Sequence, residues 1–160
     1  MALPREYRTC VYIGSVRIVP LSCLLVACVT AASCSESVTS PSSTAPYSQV
    51  DLLLGTGDAA ASGNILTVNY TGWLYDPSKP DNKGLQFDTS IGGTPFVFTL
   101  GTASVIDGWD KGLVGMKVGG IRRLVVPPSL GYGSVRNYSI PPYSTLVFEI
   151  ELVSVATSTQ

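Results

Sequence analysis

No histidine occurs in the 160 residues. That removes together a His general base, a Ser-His-Asp triad and any His-ligated metal. Cysteine is confined to Cys10, Cys23, Cys28 and Cys34, so whatever folds after Cys34 has no disulfide, no zinc-thiolate site and no Cys nucleophile. Charge is scarce at 13% and nearly balanced, 10 Lys and Arg against 11 Asp and Glu. With no basic block, nucleic-acid binding by phosphate neutralisation is excluded. The apolar run Ile18 to Ala32 falls short of the about 20 residues that cross a bilayer as a helix. What remains open for the region after Cys34 is chemistry that needs neither thiol nor imidazole.

The length suits one domain behind a leader. Residues 1–34 read as that leader: Arg5, Arg8 and Arg17 form a basic start, the run to Ala32 is an apolar h-region, and small residues close it. Ala31-Ala32-Ser33-Cys34 resembles the lipobox of bacterial lipoproteins. The resemblance implies export to the cell envelope (periplasm or outer surface) and a lipid anchor to the membrane on Cys34. Leu25-Val26-Ala27-Cys28 fits the same pattern, and ordinary signal cleavage near Ser33 is a third reading. All three export the protein. Residues 35–48, rich in Ser, Thr and Pro, have too little to bury and read as a disordered tether. The folded domain is expected over 49–157.

Within it, period-two alternation marks the strands. Asp51 to Leu54 is a short edge strand stopped by Gly55-Thr56-Gly57-Asp58. Leu66, Val68 and Tyr70 alternate with Thr67 and Asn69 through Asn64–Thr71, and Leu85 to Ser90 resumes after a polar loop, Asp76–Gly84. Phe96 to Leu100 and Ile121 to Val126 are further strands. In the last, Leu146, Phe148, Ile150 and Leu152 share one face and Glu149 and Glu151 the other.

Between these lies Val105–Met116, where Trp109, Leu113 and Met116 recur at helical spacing. Asp107 stands at the N-cap position and Asp110 three residues on, as in a capping box. Gly108, Gly112 and Gly115 each cost a helix about 1 kcal/mol relative to Ala, so packing through Trp109 must hold it. Five or six antiparallel strands around one short helix make an α+β domain.

Singly, Tyr70, Phe87, Phe96, Phe98, Trp109, Tyr132 and Phe148 read as core. In order, the spellings are more specific: Tyr70-Thr71-Gly72, Phe87-Asp88-Thr89-Ser90, Pro95 to Gly101, Val105 to Met116, Pro127 to Gly133 and Ile140 to Phe148. This series closely resembles the FKBP-type peptidyl-prolyl cis-trans isomerases from about Gln49 to Val155. The resemblance implies a half-open sheet wrapped over the helix, with an apolar pocket floored by Trp109. Tyr70, Phe87, Asp88, Ile106, Trp109, Tyr132 and Phe148 are the expected catalytic set, and Phe96, Phe98, Val105 and Ile140 the substrate contacts. The Ile106 N–H and the Tyr132 hydroxyl would each donate to a ligand carbonyl. Proline-containing segments are the implied partners, with tacrolimus and rapamycin as further ligands of the family.

Rotation about an X–Pro bond breaks amide resonance but no covalent bond, which suits a chain without acid–base apparatus. The alternative is a module that grips proline-containing segments as a chaperone or scaffold without turnover. Four departures from the family pattern stand out. The loop Asp76–Gly84 is longer, and the chain is about one residue short between Asp88 and Pro95. There Ser90-Ile91-Gly92-Gly93-Thr94 lacks the basic residue that usually pairs with the Asp88 position. The loop Ser134–Ser139, with Arg136, Asn137 and Tyr138, is also slightly short.

Overall fold

The computed structural model describes residues 44–157; the leader 1–34, both candidate lipidation cysteines and most of the expected tether lie outside them. Six strands and one α-helix follow in chain order: β1 (Ser48–Leu53), β2 (Asn64–Tyr75), β3 (Lys83–Thr89), β4 (Phe96–Thr99), α1 (Asp107–Gly112), β5 (Ile121–Val126) and β6 (Leu146–Thr157). The antiparallel sheet runs β1-β5-β6-β2-β3. β4 pairs with the first half of β2, Ile65 to Val68, and β3 with its second half, Thr71 to Tyr75. Both therefore share one edge of β2, and the chain between them, 90–95, loops outward. Register shifts in β1, β3 and β6 break the ladders at intervals. Such bulges bend a sheet and increase its twist, and here the sheet curls over α1.

The alternation read from the last strand holds: Leu146, Phe148, Ile150 and Leu152 are buried and Glu151 is exposed. They close on Leu66, Val68, Leu100, Trp109, Leu113, Met116, Leu124 and Val126 in one continuous core. β1 is the edge strand expected, but it starts at Ser48, and Tyr47, assigned by composition to the tether, packs against the core. Its hydroxyl donates to the Gly108 carbonyl at 3.3 Å. A ring that size finds core contacts that Ser and Thr neighbours do not advertise.

The helix differs from expectation at both ends. Ile106, not Asp107, is the N-cap, without a side-chain cap bond. Asp110 makes no capping box; its carboxylate accepts from the Gly101 and Ala103 backbone N–H groups at 2.8 and 3.1 Å. The incoming loop 101–104 competes for that carboxylate and takes it. Helical geometry stops at Gly112, and Met116 follows a turn through Gly115 at φ 74°. Trp109, Leu113 and Met116 are nonetheless all buried.

The two glycines inside α1 have a packing reason. A Cβ on Gly108 would lie 2.6 Å from Val126 Cγ1, and one on Gly112 would lie 2.7 Å from Leu124 Cδ2 and 2.5 Å from the Tyr47 hydroxyl. Gly is the residue that lets this helix rest on β5. Arg122 secures its C-terminal end: the guanidinium donates to Asp51 at 2.6 and 3.1 Å and to the Gly112 carbonyl at 2.7 Å. A cation at the carbonyl end of a helix is favourably placed, and this one also ties β1 to β5.

Candidate active site

The close seating of α1 puts the Trp109 indole, 4% exposed, under the concave face of the sheet. Tyr70 from β2 and Phe148 from β6 meet it edge-on, at centroid distances of 5.2 and 5.3 Å and angles of 79° and 88°. Phe96 from β4 does so at 6.2 Å, and Phe87 from β3 stands edge-on to Phe148 at 5.7 Å. Such edge-to-face pairs add about 0.5–1.5 kcal/mol each beyond burial, so the rings hold one another in fixed orientations. They enclose a cavity of about 160 Å³ that Asp88, Ser104, Val105, Ile106 and Tyr132 complete. A cavity of about 150 Å³ accepts a benzene ring, so this one has room for a single five-membered ring.

Nine of the eleven residues expected at the site line this cavity: Tyr70, Phe87, Asp88, Phe96, Val105, Ile106, Trp109, Tyr132 and Phe148. Two do not. Phe98, 6% exposed, lies behind Phe96, stacked on it at 5.6 Å and 24° and tilted against Trp109 at 5.8 Å. Strand alternation gives both rings the same face, and Phe98 falls on the core side. Ile140, 5% exposed, belongs with Asn137, Tyr138 and Ser139 to a neighbouring cavity of about 330 Å³ that shares Phe87, Asp88 and Tyr132. Ser104 lines the first cavity although sequence reasoning passed over it. Its only signal is position, directly ahead of Val105-Ile106. Its hydroxyl donates to the Thr99 carbonyl at 3.0 Å, and Asp110 holds Ala103 beside it.

Asp88 keeps a definite orientation without a cation. The Tyr70 hydroxyl donates to its Oδ2 at 2.6 Å and the Thr89 N–H to its Oδ1 at 2.9 Å. Among the described residues it has no ion-pair partner. Ser90 supplies the missing tether in another way: its Oγ accepts from the Tyr70 N–H at 2.9 Å, and its own N–H donates to the Tyr70 carbonyl at 3.0 Å.

Burial, then the bond to Asp88 and the nearby Asp88 and Tyr132 charges, push the Tyr70 phenol well above its ordinary value of 10.0. The Tyr132 phenol is raised too, first by burial and next by Asp88, with Asn137 pulling the other way. Both stay protonated at neutral pH. Tyr70 spends its proton on Asp88, leaving Tyr132 as the phenolic donor at the cavity. The Ile106 N–H, at the N-cap of α1, meets no acceptor among the described residues. The Trp109 Nε1 is buried without a hydrogen-bond partner among them.

Comparison with known proteins agrees with this geometry. The profile of the FKBP-type peptidyl-prolyl cis-trans isomerases matches residues 57–153. An FK506-binding protein of Neisseria meningitidis serogroup B is 45% identical over 107 residues, 66% of this chain and 92% of that protein. FK506-binding protein 1 of Aspergillus oryzae is 42% identical over 105 residues, 63% of this chain and 90% of the relative. Among solved structures, FkpA from Escherichia coli superposes with a TM-score of 0.61 at 38% identity, over 71% of this chain. The matched region spans 49% of that chain, about half its length.

Proposed function

The chain belongs to the FKBP-type peptidyl-prolyl cis-trans isomerase family, and from that premise we propose how its cavity turns an X–Pro bond and where in the cell it does so. The proline ring enters over Trp109, between Phe87, Phe96 and Phe148. The barrier to be lowered is about 18–20 kcal/mol and comes from amide conjugation. A twisted amide has lost that conjugation, so its carbonyl is less polar than the planar one and loses less on leaving water. An aromatic enclosure therefore stabilises the twisted state more than the ground state, which is the condition for catalysis. Each 1.36 kcal/mol of that difference is tenfold in rate.

The Ile106 N–H and the Tyr132 hydroxyl hold the flanking carbonyls while the proline side turns. Asp88 acts by orienting Tyr70 and takes no proton from the substrate. One observation carries this reading: a ring-sized cavity floored by a buried indole, in which the hydroxyl nearest the carboxylate is already engaged. The substrates are proline-containing segments of exported proteins in the cell envelope. Acylation of Cys34, with Cys28 as the alternative, anchors the enzyme, and residues 35–47 link it to the membrane. Relatives named for FK506 binding support macrolide binding in the same cavity.

The test is cis/trans relaxation of an X–Pro peptide catalysed by the full chain, with tacrolimus titrated in. Acceleration that tacrolimus abolishes is expected, and so is a large loss in Phe87→Ala. A chain folded by circular dichroism that leaves the relaxation unchanged would sink the mechanism. Intact mass of the membrane fraction distinguishes Cys34 from Cys28.

A further inference from the structure

β1 is unlike an ordinary edge strand. All six of its residues are exposed. Val50, Leu52 and Leu53, with Leu54 directly after, are 56%, 44%, 53% and 77% exposed, and Val114 nearby is 50% exposed. Edge strands usually carry Lys, Pro or outward charge that keeps them solitary. β1 has none of these, for its one charged side chain, Asp51, is turned to the Arg122 guanidinium at 2.6 Å. Lys117 lines the shallow cavity beside Leu53 and Leu54, and Arg122, which lines it too, is held by Asp51. A run of exposed apolar residues with no bare carboxylate on its strand marks an interaction surface.

The geometry points to a lipid bilayer surface as the occupant, with the β1 edge lying on the membrane and the proline cavity facing away from it; this rests on the anchored reading proposed above. Chain length argues for it. A segment with the Ser-, Thr- and Pro-rich composition and length of Cys34 to Tyr47 would have, as a linker, a root-mean-square reach of about 20 Å, comparable with the length of a six-residue strand, about 20 Å. The tether enters at Ser48, so the patch of β1 is the apolar surface an anchored domain presents to the bilayer first. Sheet order argues for it as well. β1 stands at one margin, whereas β3 and β4, which carry Phe87, Asp88 and Phe96, share the other. Four strand spacings, about 19 Å along the sheet, separate them, so contact at β1 leaves the cavity open to a polypeptide. Unpaired edge amides are tolerated there because the headgroup region, unlike the hydrocarbon core, is hydrated.

The test places a fluorescent unnatural amino acid at Leu54 or, on the opposite margin, at Val97. The full chain is reconstituted in vesicles of phosphatidylethanolamine and phosphatidylglycerol containing brominated acyl chains. Docking predicts quenching at 54 about threefold or more above that at 97, since interfacial contacts sink about 5–10 Å into the headgroup boundary. Leu53→Ser should reduce the quenching at 54 and leave isomerase activity unchanged. An acylated chain quenched equally at both positions, or at neither, overturns the docking while the anchor stands. A chain without an acyl group that ignores the vesicles overturns anchor and docking together. A concentration-dependent change at 54 in the absence of lipid assigns the edge to a second copy and overturns the proposal.

Discussion

Gly72→Ala is the sharpest single perturbation of the cavity that avoids every residue lining it. Gly72 sits in β2 opposite Asp88 on one side and Phe148 on the other. Its φ lies outside the left-handed region, so Ala suits the backbone. Space is the obstacle. The new Cβ would lie 2.6 Å from Phe87 Cζ, 2.9 Å from Cε2 and 3.0 Å from Phe148 Cε1. Carbon atoms rest at about 3.5–4.0 Å, so the Phe87 ring must retreat by about 1 Å. Phe148 is 3% exposed and wedged against Trp109, which leaves the cavity as the direction of escape. Overpacking of this kind costs about 1–3 kcal/mol, offset by about 0.4–1 kcal/mol from a less flexible unfolded chain. At about 4–8 °C per kcal/mol, Tm should fall by roughly 5–10 °C. A wall displaced by about 1 Å can cost up to 10²-fold in rate, so kcat/KM should drop about ten- to a hundredfold. Calorimetry and a peptide relaxation assay measure both. The decisive control is Phe87→Leu, which has no ring to collide with. In that background Gly72→Ala should cost less than about 0.5 kcal/mol. An equal Tm loss in the two backgrounds, or activity within twofold of the parent in Gly72→Ala alone, would refute the reasoning.

Gly112→Ala should destabilise by about 1–3 kcal/mol through the same kind of collision, here with Leu124 and the Tyr47 hydroxyl; denaturant midpoints measure it, and a wild-type midpoint contradicts the close seating of α1. Activity should be flat from about pH 6 to 9, because a bell-shaped profile needs groups that titrate in that range, the chain has no histidine, and the two cavity phenols are shifted upward from 10.0. A bell-shaped profile would show a proton transfer that the mechanism does not contain. Burial pushes the Glu149 carboxyl up, but bonds from Lys83 and Arg123 outweigh it and hold the group below 4.5. Its contribution to stability is complete above that ordinary value and fades as pH falls through the lower folded one. Glu149→Gln should therefore narrow the stability gap between neutral and acid pH, and an unchanged acid slope of Tm against pH counts against this.

The strands were legible because burial on one face writes itself as alternation, most clearly from Leu146 to Leu152. The helix was legible as an anchor and not as a span. Six residues with two internal glycines exist because Val126 and Leu124 sit where a Cβ would be, and no local pattern contains that fact. The same holds for Asp110: in the chain it is a capping residue, and only the fold brings the Gly101 and Ala103 amides to it. Asp88 was the open case. Without its usual basic partner it could be read either as catalytic or as the residue that orients Tyr70 or the loop after it, and in the fold the Tyr70 hydroxyl and the Thr89 N–H both donate to it. Phe96 and Phe98 mark the limit of periodicity, which assigns a face and not a depth.

On the proposed mechanism, the Tyr70–Asp88 pair also explains how a cavity that takes an apolar ring tolerates polar atoms in its wall. An unpaired buried hydroxyl costs about 1–3 kcal/mol and would invite a water onto the floor, where it would compete with the proline. Giving that proton to Asp88 at 2.6 Å removes the donor from the cavity, and the carboxylate itself stays at the exposed rim. The charge then serves without being desolvated, which would be costly in the interior. Tyr132, raised but not so engaged, still has its proton to offer, which the proposed mechanism assigns to a ligand carbonyl. Two phenols in one environment thus have opposite duties, decided by which of them reaches the carboxylate.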